Sequence, residues 1–126
     1  MTVTIIRAET AATFEDIARH YADAWNAHDV AAIMSWHADD TQYRLHGEQR
    51  SHNGRDAVAE KFAQQLKDAP DIRFVLKSLF GGSDHFVFEA VVTYSGKAGP
   101  VQADGIDLIT IRDGLIVTKD SYVVGA

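Results

Sequence analysis

The chain of 126 residues has no cysteine, so disulfides, thiolate catalysis and zinc–thiolate sites are excluded, and the composition fits the cytosol. Basic charge is also scarce. Twelve Lys and Arg against eighteen Asp and Glu give a net charge of −6, with no basic stripe to neutralise phosphates, so no nucleic-acid partner is expected. Met1 to Thr10 lacks an apolar core of signal-peptide length, and no run is long enough to span a membrane. A soluble protein with no membrane partner is expected. There is no repeat, linker or low-complexity segment, and the length suits a single domain over residues 1–126 with a real core. No HxH or HExxH spacing occurs, so no metal site is expected, and no cofactor is indicated.

What is present centres on Ala103 to Val124, ADGIDLITIRDGLIVTKDSYVV, two apolar runs around Asp113-Gly114 that predict a β-hairpin. Asp107 interrupts the first run. A carboxylate among Ile106, Leu108, Ile109 and Ile111 must be solvated, paired, or kept for chemistry. A two-residue loop would set Asp107 opposite Asp120, two like charges. A three-residue loop with Gly114 as the bulge residue sets Asp107 opposite Lys119, and this register is the expected one. It groups Asp107, Ile109, Ile111, Leu115, Val117, Lys119 and Ser121 on one face. Both faces are substantially apolar, which predicts cover by the domain's helices on one side and by a second subunit on the other.

Upstream, Phe14 to His28 carries Phe14, Ile17, Ala18, Tyr21, Ala22 and Trp25 at helical spacing, with Thr13 and Asp16 placed as a capping box. Asp29 would cap a short second helix running through Trp36 or His37 and ended by Ala38-Asp39-Asp40. Thr41 to His46 alternates like a strand with one buried face, His46 falling on the opposite face at the rim. Asn53-Gly54 leads into a third helix bearing Ala57, Val58, Phe62 and Leu66, stopped before Pro70. Ile72 to Phe80 and Phe86 to Tyr94 are two further strands, and Glu89 inside the second is expected to pair with Arg73 or Lys77. TVTIIRAE at the start reads as a frayed terminus, with a short strand or an arm onto a partner as the alternatives. The order ααβαββββ predicts an α+β fold, a cone-shaped curved antiparallel sheet covered by helices from the N-terminal half. Such a cone is a pocket for a small apolar molecule. Trp25, Trp36, Tyr43, Leu45, Phe62, Phe74, Phe88, Lys119 and Ser121 are expected to line it.

The stretches YADAWNAHDVAAIMSWHADD, NGRDAVAEKF and GIDLITIRDGLIVTKDSY, in this order of elements, resemble the nuclear transport factor 2-like superfamily, and within it ketosteroid isomerase and SnoaL-like polyketide cyclases. The resemblance runs from about Phe14 to Val124. It implies that Tyr21 stands where the isomerase has its oxyanion-binding tyrosine, and Asp107 where it has a second donor, a carboxylic acid kept protonated. The isomerase's base position falls on Leu45, which moves no proton. The last-strand aspartate of SnoaL-like cyclases falls on Ser121, with Asp120 one residue out of step, and the Arg-x-Asp of epoxide hydrolases of this fold appears as Gly105-x-Asp107. The expected catalytic set is therefore Tyr21 and Asp107, Asp107 either donating or acting as base, with His37 as the alternative base. On this reading Tyr21→Phe should lower turnover by about a hundredfold or more. The activity implied is isomerase, cyclase or dehydratase chemistry on a carbonyl compound. The alternative is a non-catalytic ligand-binding or homodimerisation module.

Overall fold

A computed structural model of the chain describes residues 3–7 and 12–125, with 5–7, 12 and 13 described at the level of the backbone. The first helix, α1 (Ala12–Asn26), buries Phe14, Ile17, Ala18, Tyr21, Ala24 and Trp25, the stripe its spacing dictates. It is already helical at Ala12, so Thr13 lies inside it, and the expected capping hydrogen bond of Thr13 falls outside the described side chains. Two devices end and anchor it. His28 adopts a left-handed φ of 56° that the helix cannot continue through. Asn26 then clasps the next layer, its Nδ2 donating to Phe74 O at 2.9 Å while Phe74 N donates to its Oδ1 at 2.8 Å.

The second helix, α2 (Val30–Met34), is capped as expected, Asp29 accepting from Ala32 N at 3.1 Å. It is shorter than its sequence suggests. Trp36 already belongs to a turn, and His37 opens the strand β2 (His37–Leu45), so Ala38-Asp39-Asp40 does not end a helix. Two interactions outside the local sequence pull it extended. Ile116 N donates to Trp36 O at 2.7 Å, and Arg55 donates to Met34 O and His37 O at 2.8 and 2.7 Å.

The remaining elements are a two-residue strand β3 (His52–Asn53), the helix α3 (Arg55–Asp68), and strands β4 (Arg73–Gly81), β5 (His85–Gly96), β6 (Gly99–Arg112) and β7 (Leu115–Val124). Thr4–Arg7 forms a strand, β1, so the start of the chain is paired and not frayed there. All seven join one curved, unclosed sheet in the order β1-β4-β5-β6-β7-β2-β3, with the helices in the N-terminal half. The α+β class and the curved sheet stand as expected. The wholly antiparallel pairing does not, because β1 runs parallel to β4 and β2 parallel to β7. The concave face carries Phe86, Phe88, Ala90 and Val92 from β5 and Ile109 and Ile111 from β6, against Val58, Phe62 and Leu66 of α3.

The hairpin register differs from both simple alternatives. Asp113 and Gly114, at φ 54° and 78°, make a two-residue turn with Arg112 opposite Leu115. The register then shifts at Val117, between Ile111↔Ile116 and Thr110↔Thr118. Asp107 therefore lies opposite Ser121, not Lys119, and Leu108 opposite Asp120. Leu115 and Val117 leave the inner face, where Ile116 is fully buried instead. Beyond the shift, Lys119 and Ser121 return to the inner face beside Ile109 and Ile111.

Candidate functional site in the cone

The cone encloses a cavity of about 550 Å³, open at one end. Trp25, Tyr43, Leu45, Phe74, Phe88, Lys119 and Ser121 line it as expected, together with Asp107. Trp36 and Phe62 do not. Trp36 leaves the helix before it can face the cone and stacks on His20 with ring centroids 5.7 Å apart, while Phe62 is fully buried behind Trp25 and Tyr43.

The walls are largely aromatic, and the charged groups sit on neighbouring strands. Asp107, from the middle of β6, accepts a short hydrogen bond from Ser121 Oγ on β7. Its second oxygen lies 4.0 Å from Nζ of Lys119. The lysine side chain is 7% exposed and the carboxylate 20%, so this is an ion pair at the edge of water. The ammonium is caged by rings, with Trp25, Phe62, Tyr21 and Tyr43 centroids at 4.4, 4.8, 4.9 and 5.6 Å. Burial lowers the Lys119 pKa, and Asp107 opposes part of that shift.

Tyr21 and His37 lie behind this layer and not on the cavity surface. Lys119 Nζ donates to Tyr21 Oη at 3.1 Å, and Tyr21 Oη lies 2.8 Å from His37 Nε2. His37 Nδ1 lies 2.8 Å from Thr41 Oγ1. Burial, then Lys119 and Arg55, push His37 down to about 3, so the ring is neutral. A neutral ring accepts at one nitrogen and donates at the other. With Tyr21 raised well above its ordinary value by burial, the consistent arrangement has Tyr21 donating to His37 Nε2 and His37 Nδ1 donating to Thr41. The tyrosine proton is thus committed inward. The hydrogen-bond donor presented to the cavity is Lys119, where sequence reasoning placed Tyr21.

Tyr43 is pushed up to about 12 by burial, and its hydroxyl receives a 3.0 Å bond from Gln65 Nε2. Gln65 was missed because an exposed-looking glutamine on α3 carries no sequence signal. Thr41 was placed on the buried face of its strand, but nothing in the sequence pointed to His37 as its partner. At the rim His46 stacks on Tyr122, centroids 4.0 Å apart, and bonds Asp120 at 2.8 Å. Glu89 pairs with Lys77 at 3.8 Å and accepts from Ser78 at 2.7 Å, away from the cavity. Among the described residues no group of three or more His, Asp or Glu could hold a metal ion, and no helix is long and apolar enough to cross a membrane.

A family profile for the SnoaL-like domain matches residues 18–119, from within α1 to Lys119 in β7. The chain belongs to the SnoaL-like domain family. Solved structures share the nuclear transport factor 2-like fold. One is a protein of ketosteroid isomerase-like fold from Catenulispora acidiphila, in complex with trimethylamine, with TM-score 0.78 and 21% identity over 85% of this chain and 84% of that one. Another is a protein of unknown function from Mesorhizobium loti, with TM-score 0.78 and 24% identity over 97% and 99%. A protein from Jannaschia assigned as a SnoaL-like polyketide cyclase has TM-score 0.79 and 15% identity over 89% and 85%. At these identities the likeness concerns the fold. No functionally curated protein matches the chain.

Proposed function

We propose that this SnoaL-like domain performs acid/base chemistry on a small, apolar, carbonyl-containing molecule of the kind handled by isomerases, cyclases and dehydratases. The observation that carries the reading is the Lys119–Asp107 pair, 4.0 Å apart in the wall of an aromatic cavity. Lys119 has three N–H donors and only Tyr21 as a hydrogen-bond acceptor among the described residues. A ligand carbonyl oxygen would satisfy another, and its enolate-like charge would develop against an ammonium in a site of low polarity. Asp107, an acceptor in its bond with Ser121, is the group placed to take the α-proton. Charge argues for a neutral ligand, since an added anion would meet Asp107 as well as Lys119. Tyr21, His37 and Thr41 then act as positioning residues for the lysine.

The test is exchange of the α-protons of 2-tetralone into deuterated water, followed by NMR. The protein should accelerate exchange saturably, and Asp107→Asn should lower the rate by about 10²- to 10⁴-fold, as removal of a general base does. A second reading is favoured by one feature, that Lys119 and Asp107 already neutralise each other. It makes the cone a non-catalytic ligand site. Quenching of Trp25 fluorescence by tetralone with no exchange would select it.

The convex face of the sheet leaves Leu108 and Tyr122 42% and 40% exposed. We propose that it forms a homodimer with a second copy of the chain, which Leu108→Lys should convert to a monomer in sedimentation.

A further inference from the structure

We propose that Lys119 is an imine-forming amine, its Nζ condensing with the carbonyl carbon of a ketone or aldehyde held in the cavity while Asp107 carries the protons. This deepens the reading of the cavity as a carbonyl site and rests on it. Of the five lysines in the sequence, Lys119 is the one buried in the structure. It lines the cavity beside Asp107, and four aromatic rings within 5.6 Å of Nζ shield it from water.

Two physical arguments converge on the free amine. Burial among aromatic rings costs the ammonium its hydration and favours the neutral amine, against part of which Asp107 acts, and the carboxylate 4.0 Å away can receive the proton once the two groups close to hydrogen-bonding distance. Orientation is the second. Because Tyr21 donates its own O–H to His37 in a hydrogen bond, its oxygen is left as an acceptor toward Lys119, so the neutral amine still points one N–H at Tyr21. The nitrogen lone pair is then directed away from Tyr21, and a lysine desolvated in this way is a nucleophile at neutral pH.

The steps balance within the pair. Asp107 takes a proton from the ammonium, and the amine lone pair forms the C–N bond as the carbonyl π-pair moves to oxygen. That oxygen takes the proton back from Asp107. The carboxylate next removes a proton from nitrogen and delivers it to the hydroxyl, which leaves as water. What remains is a protonated C=N bond at Lys119 with the Asp107 carboxylate as counter-ion. In sum, one carbonyl and one ammonium become one iminium and one water.

The experiment treats the whole protein with benzaldehyde and sodium cyanoborohydride at pH 7, which reduces any iminium to a stable benzylamine, and maps the label by mass spectrometry of peptides. Label should appear at Lys119 faster than at Lys61, Lys67, Lys77 or Lys97, by about tenfold for each unit by which burial favours the free amine. Asp107→Asn should slow labelling of Lys119 and leave the other four unchanged. Labelling of Lys119 no faster than theirs in the wild-type protein overturns the proposal, whatever the variant does. Tetralone exchange without label at Lys119 overturns the imine and leaves the acid/base reading standing. Label at Lys119 without exchange has the opposite meaning.

Discussion

Acid should destabilise this domain through His37. The ring is 1% exposed, its two nitrogens are bonded to Tyr21 and Thr41, and the cations Lys119 and Arg55 stand against its protonation. Its folded pKa is about 3, against an ordinary value of 6.5. A pKa depressed on folding means that the unfolded chain binds the proton more tightly, so stability is complete above 6.5 and is lost as pH falls toward 3. At pH 5 the unfolded histidine is almost fully protonated and the folded one almost fully neutral. The cost by then is about 2 kcal/mol relative to pH 7.5, from about 1.4 kcal/mol per pH unit over the interval below 6.5. It depends on the folded value lying below 5 and on nothing finer. Urea denaturation at both pH values measures the loss, and His37→Gln, which keeps an acceptor and a donor but does not titrate, supplies the reference. The wild type should lose about 2 kcal/mol more than the variant between the two pH values, a large share of a stability of roughly 5–15 kcal/mol. Equal losses would mean that His37 takes up a proton as readily in the fold as out of it, and the inward polarity of Lys119, Tyr21, His37 and Thr41 would be wrong.

Tyr21→Phe removes the hydrogen-bond acceptor of Lys119 and the donor to His37 at once, so it should cost about 1–3 kcal/mol in urea. In the exchange assay it should lower the rate by clearly less than the about hundredfold expected of a donor touching substrate. Asn26→Ala leaves both backbone groups of Phe74 without their partner and should cost about 1–3 kcal/mol, read as a fall in Tm. Gly81→Ala should be harsher than Gly114→Ala in the same assay. A Cβ at Gly81 would sit 2.7 Å from the His85 carbonyl oxygen and 2.8 Å from Phe14. At Gly114 it meets nothing, and only the φ of 78° opposes it, at about 1–2 kcal/mol. The order reversed would refute the close packing of the β4–β5 turn against α1.

The elements with a strong internal period were legible from the residues alone: α1 from its apolar stripe, α3 from Val58, Phe62 and Leu66, and β5 from Phe86, Phe88 and Ala90. What failed were places where a distant partner decides. Residues 35–40 read as the end of a helix because serine, tryptophan and aspartate suit one, yet the β7 amide of Ile116 and the guanidinium of Arg55 draw this backbone out. That displacement carried His37 into the core, where it accepts the Tyr21 hydrogen bond that the resemblance had assigned to a ligand. The hairpin failed differently. Strict alternation can place Ile116 or Lys119 on the concave face, but not both, since they are three residues apart. The register shift at Val117 admits both, Ile116 to the core and Lys119 to the cavity wall, and it moves Asp107 past Asp120 to meet Ser121. A bulge of one residue thus decides whether the carboxylate faces a like charge or a hydroxyl. No local signal at Val117 announces it, because the stabilisation comes from what the shift buries on one face and what it separates on the other.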